Sequence, residues 1–447
     1  MKREFYKDML RIALPITIQG FLQAALSLID QVMIGSLGSA SIAGVGLGAK
    51  FISLFTVTMT AIVTVAGIFI AQYCGNKSKK GINDSFFANL YFALLVTLIF
   101  VVLSVTIPGQ IMSLYSKDAD TISEAVVYLR IMSIGFVPQT ITLMISALLR
   151  NVDAAHAPMV AGGISVVSNT LLNYLLIFGV GSLPAMGVAG AALATGISRI
   201  IELVIICTIF MKIKKKKEIE LKVTFRFETD FLKKIVPVLT PILLCEFLWS
   251  LGENVYAVIY GHIGTESCAA MTLTYPLQTL AIGALSGVSA AAGVMIGNSL
   301  GEGNKDKAYA DSKSFMKVTI SVALIISICI ILFCGFYVKL FRVSEDTRQI
   351  TIYILVAYAL VFPAKVINMV LGGGILRSGG MTKYIMLVDM VGTWVFGVPL
   401  GLLSAYAWKL PIYFVYFILS MEEYVRVLLC TCIFKSRRWM VNMTEGK

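Results

Sequence analysis

The stretch KIKKKKEIELKVTFRFETDFLKK, residues 212–234, packs nine Lys and Arg into a chain that is otherwise poor in charge. Charged residues make up 14% of the 447, against about 25% in a soluble globular domain. Apolar residues make up 58%, and the mean hydropathy is +0.86. Twelve bilayer spans of about 21 residues would consume about 250 positions, which this apolar content can supply. The reading is an all-α polytopic membrane protein, and the basic stretch is the linker between its two halves.

Working outward from that linker, charge-free runs at 51–74, 86–116, 131–149, 157–198, 267–301 and 318–338 fix most of the spans. The longest must contain a turn, and Gly179 to Pro184 supplies one. The expected spans are 10–34, 49–74, 86–108, 126–149, 158–178 and 186–211, then 235–260, 272–298, 315–338, 350–375, 384–406 and 410–434. The organisation is thus an N-lobe (1–211), the linker (212–234), a C-lobe (235–434) and a tail (435–447).

The net charge of +12 is first a topology signal. With the linker inside, the inner loops carry about 26 Lys and Arg and the outer loops about five, so both termini are expected in the cytoplasm. The cluster at Lys212–Lys217 reads as an anchor touching anionic lipid, not as a nucleic-acid site. The eight cysteines show no CxxC spacing, and His156 and His262 are too few for a histidine metal centre. The charged start MKREFYKDMLR leads into an apolar run too long for a cleavable signal.

The halves are copies. Sliding the second back by about 226 positions pairs Pro15 with Pro241, Gly35 with Gly261, Gly38 with Gly264, Ala43 with Ala269, and Gln72-x-x-Gly75 with Asn298-x-x-Gly301. One step further out of register, Leu149-Arg150 pairs with Leu376-Arg377. Six spans per repeat give the copies one orientation, related by an axis along the membrane normal, a recurrent plan of secondary transporters.

No GxxxxGK[ST] loop powers this chain, and GVGLG at Gly44–Gly48 has no preceding strand, so it reads as a turn with close packing. A membrane-embedded enzyme would need a nucleophile with its base, or a metal cluster, and neither is evident. Ion coupling remains. One charge crossing about 100 mV supplies about 2.3 kcal/mol, or roughly fifty-fold accumulation.

Coupling requires an intramembrane acid whose occupancy biases one conformation. On the first span Asp30 shares a helical stripe with Gln19 and Gln23, and Pro15 before it bends the helix and frees a carbonyl. On the seventh, Glu246, Trp249, Ser250 and Glu253 line one face at i, i+3, i+4 and i+7, a set suited to an organic cation through charge and cation–π attraction. Pairing of one of these two glutamates, Glu246 or Glu253, with Lys365, whose neighbour Asn368 lies one turn on, is the structural alternative. Asp389, followed by Trp394, lies shallow in the eleventh span. Arg199 with Glu202, and Glu422 or Glu423 with Arg426, are spaced to neutralise each other along one helix and read as packing pairs. Arg150 and Arg377 close inner helix ends.

Taken together these residues resemble the multidrug and toxic compound extrusion (MATE) family over nearly the whole chain. The first half contributes Pro15, Asp30, Met33, Gly35, Leu37-Gly38, Ala71-Gln72-x-x-Gly75, Leu149-Arg150, Asn169, Asn173, Pro184, Gly187, Gly190-Ala191 and Thr195. The second contributes Pro241, Glu246, Trp249, Gly252, Tyr260-Gly261, Gly374-x-Leu376-Arg377-x-Gly379-Gly380, Asp389, Pro399-Leu400-Gly401 and Trp439. The resemblance implies two pseudo-symmetric six-helix lobes in a V, and a monomer in the plasma membrane that exports cationic amphiphiles against H⁺ or Na⁺ without a cofactor. It carries an ion site onto Asp30, Asn169, Asn173 and Thr195, with Na⁺ at Asp30 the only metal it implies. Gln19, Gln23, Glu246, Trp249, Glu253 and Asp389 are the candidates for the substrate cavity.

Two departures stand out. Asn173 replaces a second acid found in many homologues, so the site has one formal charge, and Met381 stands where GGDT is usual, a loop-capping change. A lipid-linked precursor flippase of the wider superfamily is the nearest alternative, and it predicts a cationic cavity where the buried candidates here are mainly acidic. A channel-like protein would need aligned pore charges, which are scarce.

Overall fold

The computed structural model describes residues 2–37, 39–180, 184–217, 220–222, 229–339, 341 and 343–444. Gly38, Arg342, part of the turn after Gly179 and much of the basic linker lie outside the described residues. The first six long helices are α1 (Lys2–Gly35), α2 (Ser39–Gly75), α3 (Lys79–Thr106), α4 (Ala119–Asn151), α5 (His156–Phe178) and α6 (Gly187–Lys216), with a short helix, Pro108–Ser113, before α4. The second six are α7 (Thr229–Ile263), α8 (Thr265–Gly301), α9 (Lys305–Lys339), α10 (Glu345–Leu376), α11 (Thr382–Ala407) and α12, which is split into Ile412–Leu419 and Glu422–Lys435.

Among the described residues, eleven helices are long and apolar enough to cross a membrane. The twelfth expected span, 410–434, is interrupted at Ser420 and Met421. The break puts Glu422 and Glu423 in the first turn of a new helix, where the helix dipole favours carboxylates. Several helices start where the sequence offers a cap: the side chains of Ser78, Asp118 and Ser344 accept from the backbone N–H groups of Gly81, Thr121 and Thr347 at 3.1, 3.1 and 3.2 Å. Met381 occupies the start of α11 and makes no such bond, as its side chain dictates.

On two helices most of the buried positions are small or polar, the reverse of a soluble protein. On α3 the buried stripe is Ser85, Asn89, Ala93, Thr97 and Ser104, while Leu95, Leu98, Ile99, Val102 and Val105 face outward. On α9, Ser312, Thr319, Ala323 and Ser327 are buried while Ile325, Leu332, Phe333 and Phe336 are exposed. Small and weakly polar residues let helices approach closely and bond across, and large apolar ones meet lipid tails, so this is packing for a bilayer.

The chain divides into two compact units, Ile18–Lys234 and Ile235–Lys447, the latter joined by Met1–Thr17. The first helix is therefore shared, and the division falls two residues after Pro15, through which α1 runs unbroken. In the N-terminal unit Ala66, Ile70, Met144, Leu148, Ala161 and Ile206 form a core, and the start of the linker returns onto α3 through Lys79–Glu220 (2.7 Å) and the Lys222 N–H donating to Asn83 Oδ1 (2.8 Å). In the C-terminal unit, the Thr17 hydroxyl donates to the Ala284 carbonyl of α8 (3.4 Å), tying in the first half of α1. There α10 and α11 contain π-helical turns at Met369–Leu376, Val391–Gly397 and Leu403–Ala407, irregularities that recur at functional sites.

Candidate functional site

In the N-terminal unit α5 and α6 lie so close at Gly190 that a Cβ there would overlap the Leu176 carbonyl oxygen. That approach brings polar side chains of both helices to α1. Asn173 donates from Nδ2 to Asp30 Oδ1 at 2.6 Å and to Asn169 Oδ1 at 3.0 Å. Asn169 in turn donates to Thr195 Oγ1 (3.2 Å) and Ser198 Oγ (3.3 Å). With its amide turned over, Asn169 instead donates to Asp30 Oδ1 (3.1 Å) and accepts from Thr195 and Ser198, so it belongs to the chain of bonds either way.

The structure thus brings Asp30, Asn169, Asn173 and Thr195 together, and adds Ser198, which lies one turn after Thr195 on α6. Asn169 and Asn173 are each 1% exposed. Among the described residues Asp30 has no salt-bridge partner, since Arg199 is held by Glu202 at 2.8 Å. Asn173 Oδ1 is buried and accepts from nothing. A carboxylate beside an orphaned amide oxygen can hold a proton or a small cation, which either oxygen would welcome.

Gln19 stands apart from this group. Its Oε1 accepts from Arg150 Nη2 at 3.1 Å, and its amide packs on Gly162, while Gln23 is exposed. The C-terminal unit repeats the contact at the corresponding place: Arg377 Nη2 lies 3.8 Å from Cys245 Sγ, the residue that Gln19 pairs with in the repeat. There the arginine also meets an acid, Glu246, at 3.6 Å. So the partner of Glu246 is Arg377, not Lys365, because the end of α10 turns Arg377 toward α7. Trp249 is 46% exposed and Glu253 is exposed too, so this face of α7 is open where Glu246 is not.

Asp389 is 25% exposed and is engaged on two sides, by the Cys245 thiol (2.8 Å) and by Arg426 Nη1 (3.7 Å). Arg426 also pairs with Glu422 (3.3 Å) and approaches Glu423 (3.9 Å). The same-helix pairs read from spacing are therefore present, but they belong to a larger cluster that draws on α7, α10, α11 and α12. The signal that could have found it is the repeat itself, since Arg426 falls on Arg199 at the offset that joins Leu376-Arg377 to Leu149-Arg150. Among the described residues, no group of three or more His, Cys, Asp or Glu is arranged to hold a metal ion.

The sequence pattern of the MatE family matches residues 15–175 and 241–403. Curated relatives include the "Uncharacterized transporter YisQ" of Bacillus subtilis, 23% identical over 95% of this chain and 93% of its own length. The "Probable multidrug resistance protein NorM" of Thermotoga maritima is 24% identical over 98% of this chain and 93% of its own. Among solved structures, that of a MATE protein in complex with MaL6 superposes with a TM-score of 0.89, covering 96% of both chains at 19% identity. The match of the family pattern to both repeats identifies the chain: it belongs to the MatE family of multidrug and toxic compound extrusion transporters.

Proposed function

We propose that the protein is a secondary antiporter that exports cationic, amphiphilic organic compounds in exchange for H⁺ or Na⁺. The observation that carries this reading is Asp30 itself: a carboxylate without a salt-bridge partner among the described residues, bonded by Asn173 at 2.6 Å, next to the orphaned oxygen of Asn173. An ion bound in one conformation and released in the other shifts the equilibrium only through that difference in affinity. Asn169 and Thr195 extend the bonds that respond to occupancy.

One charge per cycle, worth about 2.3 kcal/mol at 100 mV, is enough to drive export. The two compact units act as the two lobes. Glu246, Trp249 and Glu253 on α7, with Asp389 on α11, supply acid and aromatic groups to the substrate, and in the N-terminal unit Gln19 and Gln23 on α1 are further substrate-contacting groups. Relatives named for multidrug resistance support export of more than one compound. The protein works as a monomer in the plasma membrane, with both termini and the basic linker in the cytoplasm, where the Lys and Arg of its loops concentrate. The test is efflux of a fluorescent organic cation from proteoliposomes, driven separately by a proton and a sodium gradient. Efflux under one gradient supports the reading; no efflux of any of several cations under either gradient overturns it and makes lipid flipping the next reaction to assay.

A further inference from the structure

The two repeats equip one arginine differently. Arg150 stands in the last turn of α4 and Arg377 directly after α10, and each reaches back to the first helix of its own repeat. Arg150 Nη2 donates to Gln19 Oε1 at 3.1 Å, and Arg377 Nη2 lies 3.8 Å from Cys245 Sγ. In the C-terminal unit an acid joins the contact, since Arg377 Nη1 stands 3.6 Å from Glu246 Oε1. The offset that pairs Gln19 with Cys245 pairs Gly20 with Glu246, so the N-terminal unit carries no side chain at the position of that carboxylate.

We propose that the N-terminal unit binds a small monovalent anion, a halide or a carboxylate, between Arg150 and the Gly20 turn of α1, in the place that the Glu246 carboxylate takes in the C-terminal unit. The argument is charge. Among the described residues no carboxylate stands within 4 Å of Arg150, and no acidic side chain is among the groups that act on its charge. Its partner is the neutral amide of Gln19, which is itself buried. A guanidinium withdrawn from water without a counter-charge is expensive, and Arg stays charged under all ordinary conditions, so it cannot escape the cost by losing a proton. The C-terminal end of a helix favours a cation, but it does so in both repeats alike, and Arg377 takes an acid in addition.

The surroundings select a small ion of single charge. Arg150 Nε is buried and donates to nothing. Arg377 Nε is idle as well, so the missing charge, not the idle nitrogen, sets the two arginines apart; the idle nitrogen limits what can bind. Gly162 of α5 holds Gln19 against Arg150 from behind, because a Cβ there would stand 3.3 Å from Gln19 Nε2, and the neighbours Leu149 and Asn151 are buried. A lipid phosphate, tied to its glycerol, stays outside such an enclosure. A halide or a carboxylate passes the half-buried Gly20 and meets the guanidinium, whose fork offers parallel N–H donors to two carboxylate oxygens or to one halide. One negative charge neutralises the one guanidinium, whereas a divalent anion would leave an excess of the opposite sign.

This site is separate from the one around Asp30. Gln19 lies eleven residues before Asp30 on α1, about 16 Å along the helix. The inference therefore goes beyond the antiport reading, and its test requires no transport.

The test is thermal melting of the full-length protein in detergent while chloride, and in a separate series acetate, replaces a bulky sulfonate at constant ionic strength. A ligand that binds only the folded state raises the melting temperature saturably. The parent is expected to gain a few degrees with at least one of the two anions. Arg150→Gln is expected to lose that response, and so is Gly20→Glu, which gives Arg150 the acid that Arg377 already has and replaces a glycine by a better helix former. Either variant decides alone should the other fail to fold. A response to chloride alone assigns the site to a free inorganic anion, and a response to acetate assigns it to carboxylates. No saturable response of the parent to either anion, or a response that persists undiminished in Arg150→Gln or Gly20→Glu, overturns the inference.

Discussion

Asn173 reaches from α5 to place its amide 2.6 Å from Asp30 on α1, while its own oxygen is left without a donor. A hydrogen bond to a charged group contributes about 1.5–3 kcal/mol. Asn173→Leu removes it and leaves the helix intact, so ion-driven efflux is expected to fall by roughly tenfold or more with little change in melting temperature. Parallel transport and thermal-melt measurements check this, and a loss of folding in step with efflux would point to a packing role.

The same position sets the number of charges. Asn173→Asp places a second carboxylate beside Asp30, and two acids hold Na⁺ better than one. The Na⁺ concentration that half-maximally drives efflux is expected to fall, as a titration of external Na⁺ in proteoliposomes would register.

Gly190 fixes how closely α5 and α6 approach. A larger residue there must displace the Leu176 backbone, not a flexible side chain, so Gly190→Val is expected to destabilise by about 1–3 kcal/mol and to lower the melting temperature. Asn169 and Thr195 would separate with the helices, and efflux should fall as well.

Asp118 lies outside the membrane-spanning segments and caps α4, accepting from the Thr121 hydroxyl and backbone N–H. These bonds favour the charged carboxyl and hold its pKa below the ordinary value. A depressed folded-state pKa stabilises the fold above the unfolded-state value, and that contribution is lost as pH falls through the folded value. Asp118→Ala is therefore expected to lower the melting temperature at neutral pH and to make a smaller difference at pH about 3, below the ordinary carboxylate range.

Much of this was legible in the sequence, for identifiable reasons. Spans follow from apolar runs, and the duplication follows from Pro15/Pro241 and Arg150/Arg377, because prolines and arginines are rare enough in membrane helices for their spacing to be informative. Asp30 stood out as an isolated intramembrane acid. Its convergence with Asn169, Asn173 and Thr195 came from family resemblance, since helical spacing relates residues on one helix and says nothing of which helix packs against it. For the same reason the spacing found Glu422 and Glu423 with Arg426 but not Asp389 from α11, Asn368 from α10 or Tyr256 from α7. Gln19 shares a helical stripe with Asp30, yet its bond is to Arg150. The break at Ser420 and Met421 carried no proline or glycine to announce it.

The most direct test of the central claim is the ion movement itself. Proteoliposomes loaded with a transported organic cation, without an imposed ion gradient, should take up H⁺ or Na⁺ as the cation leaves, and Asp30→Asn should abolish that uptake while the protein remains folded. Ion uptake of undiminished size in Asp30→Asn would contradict the account.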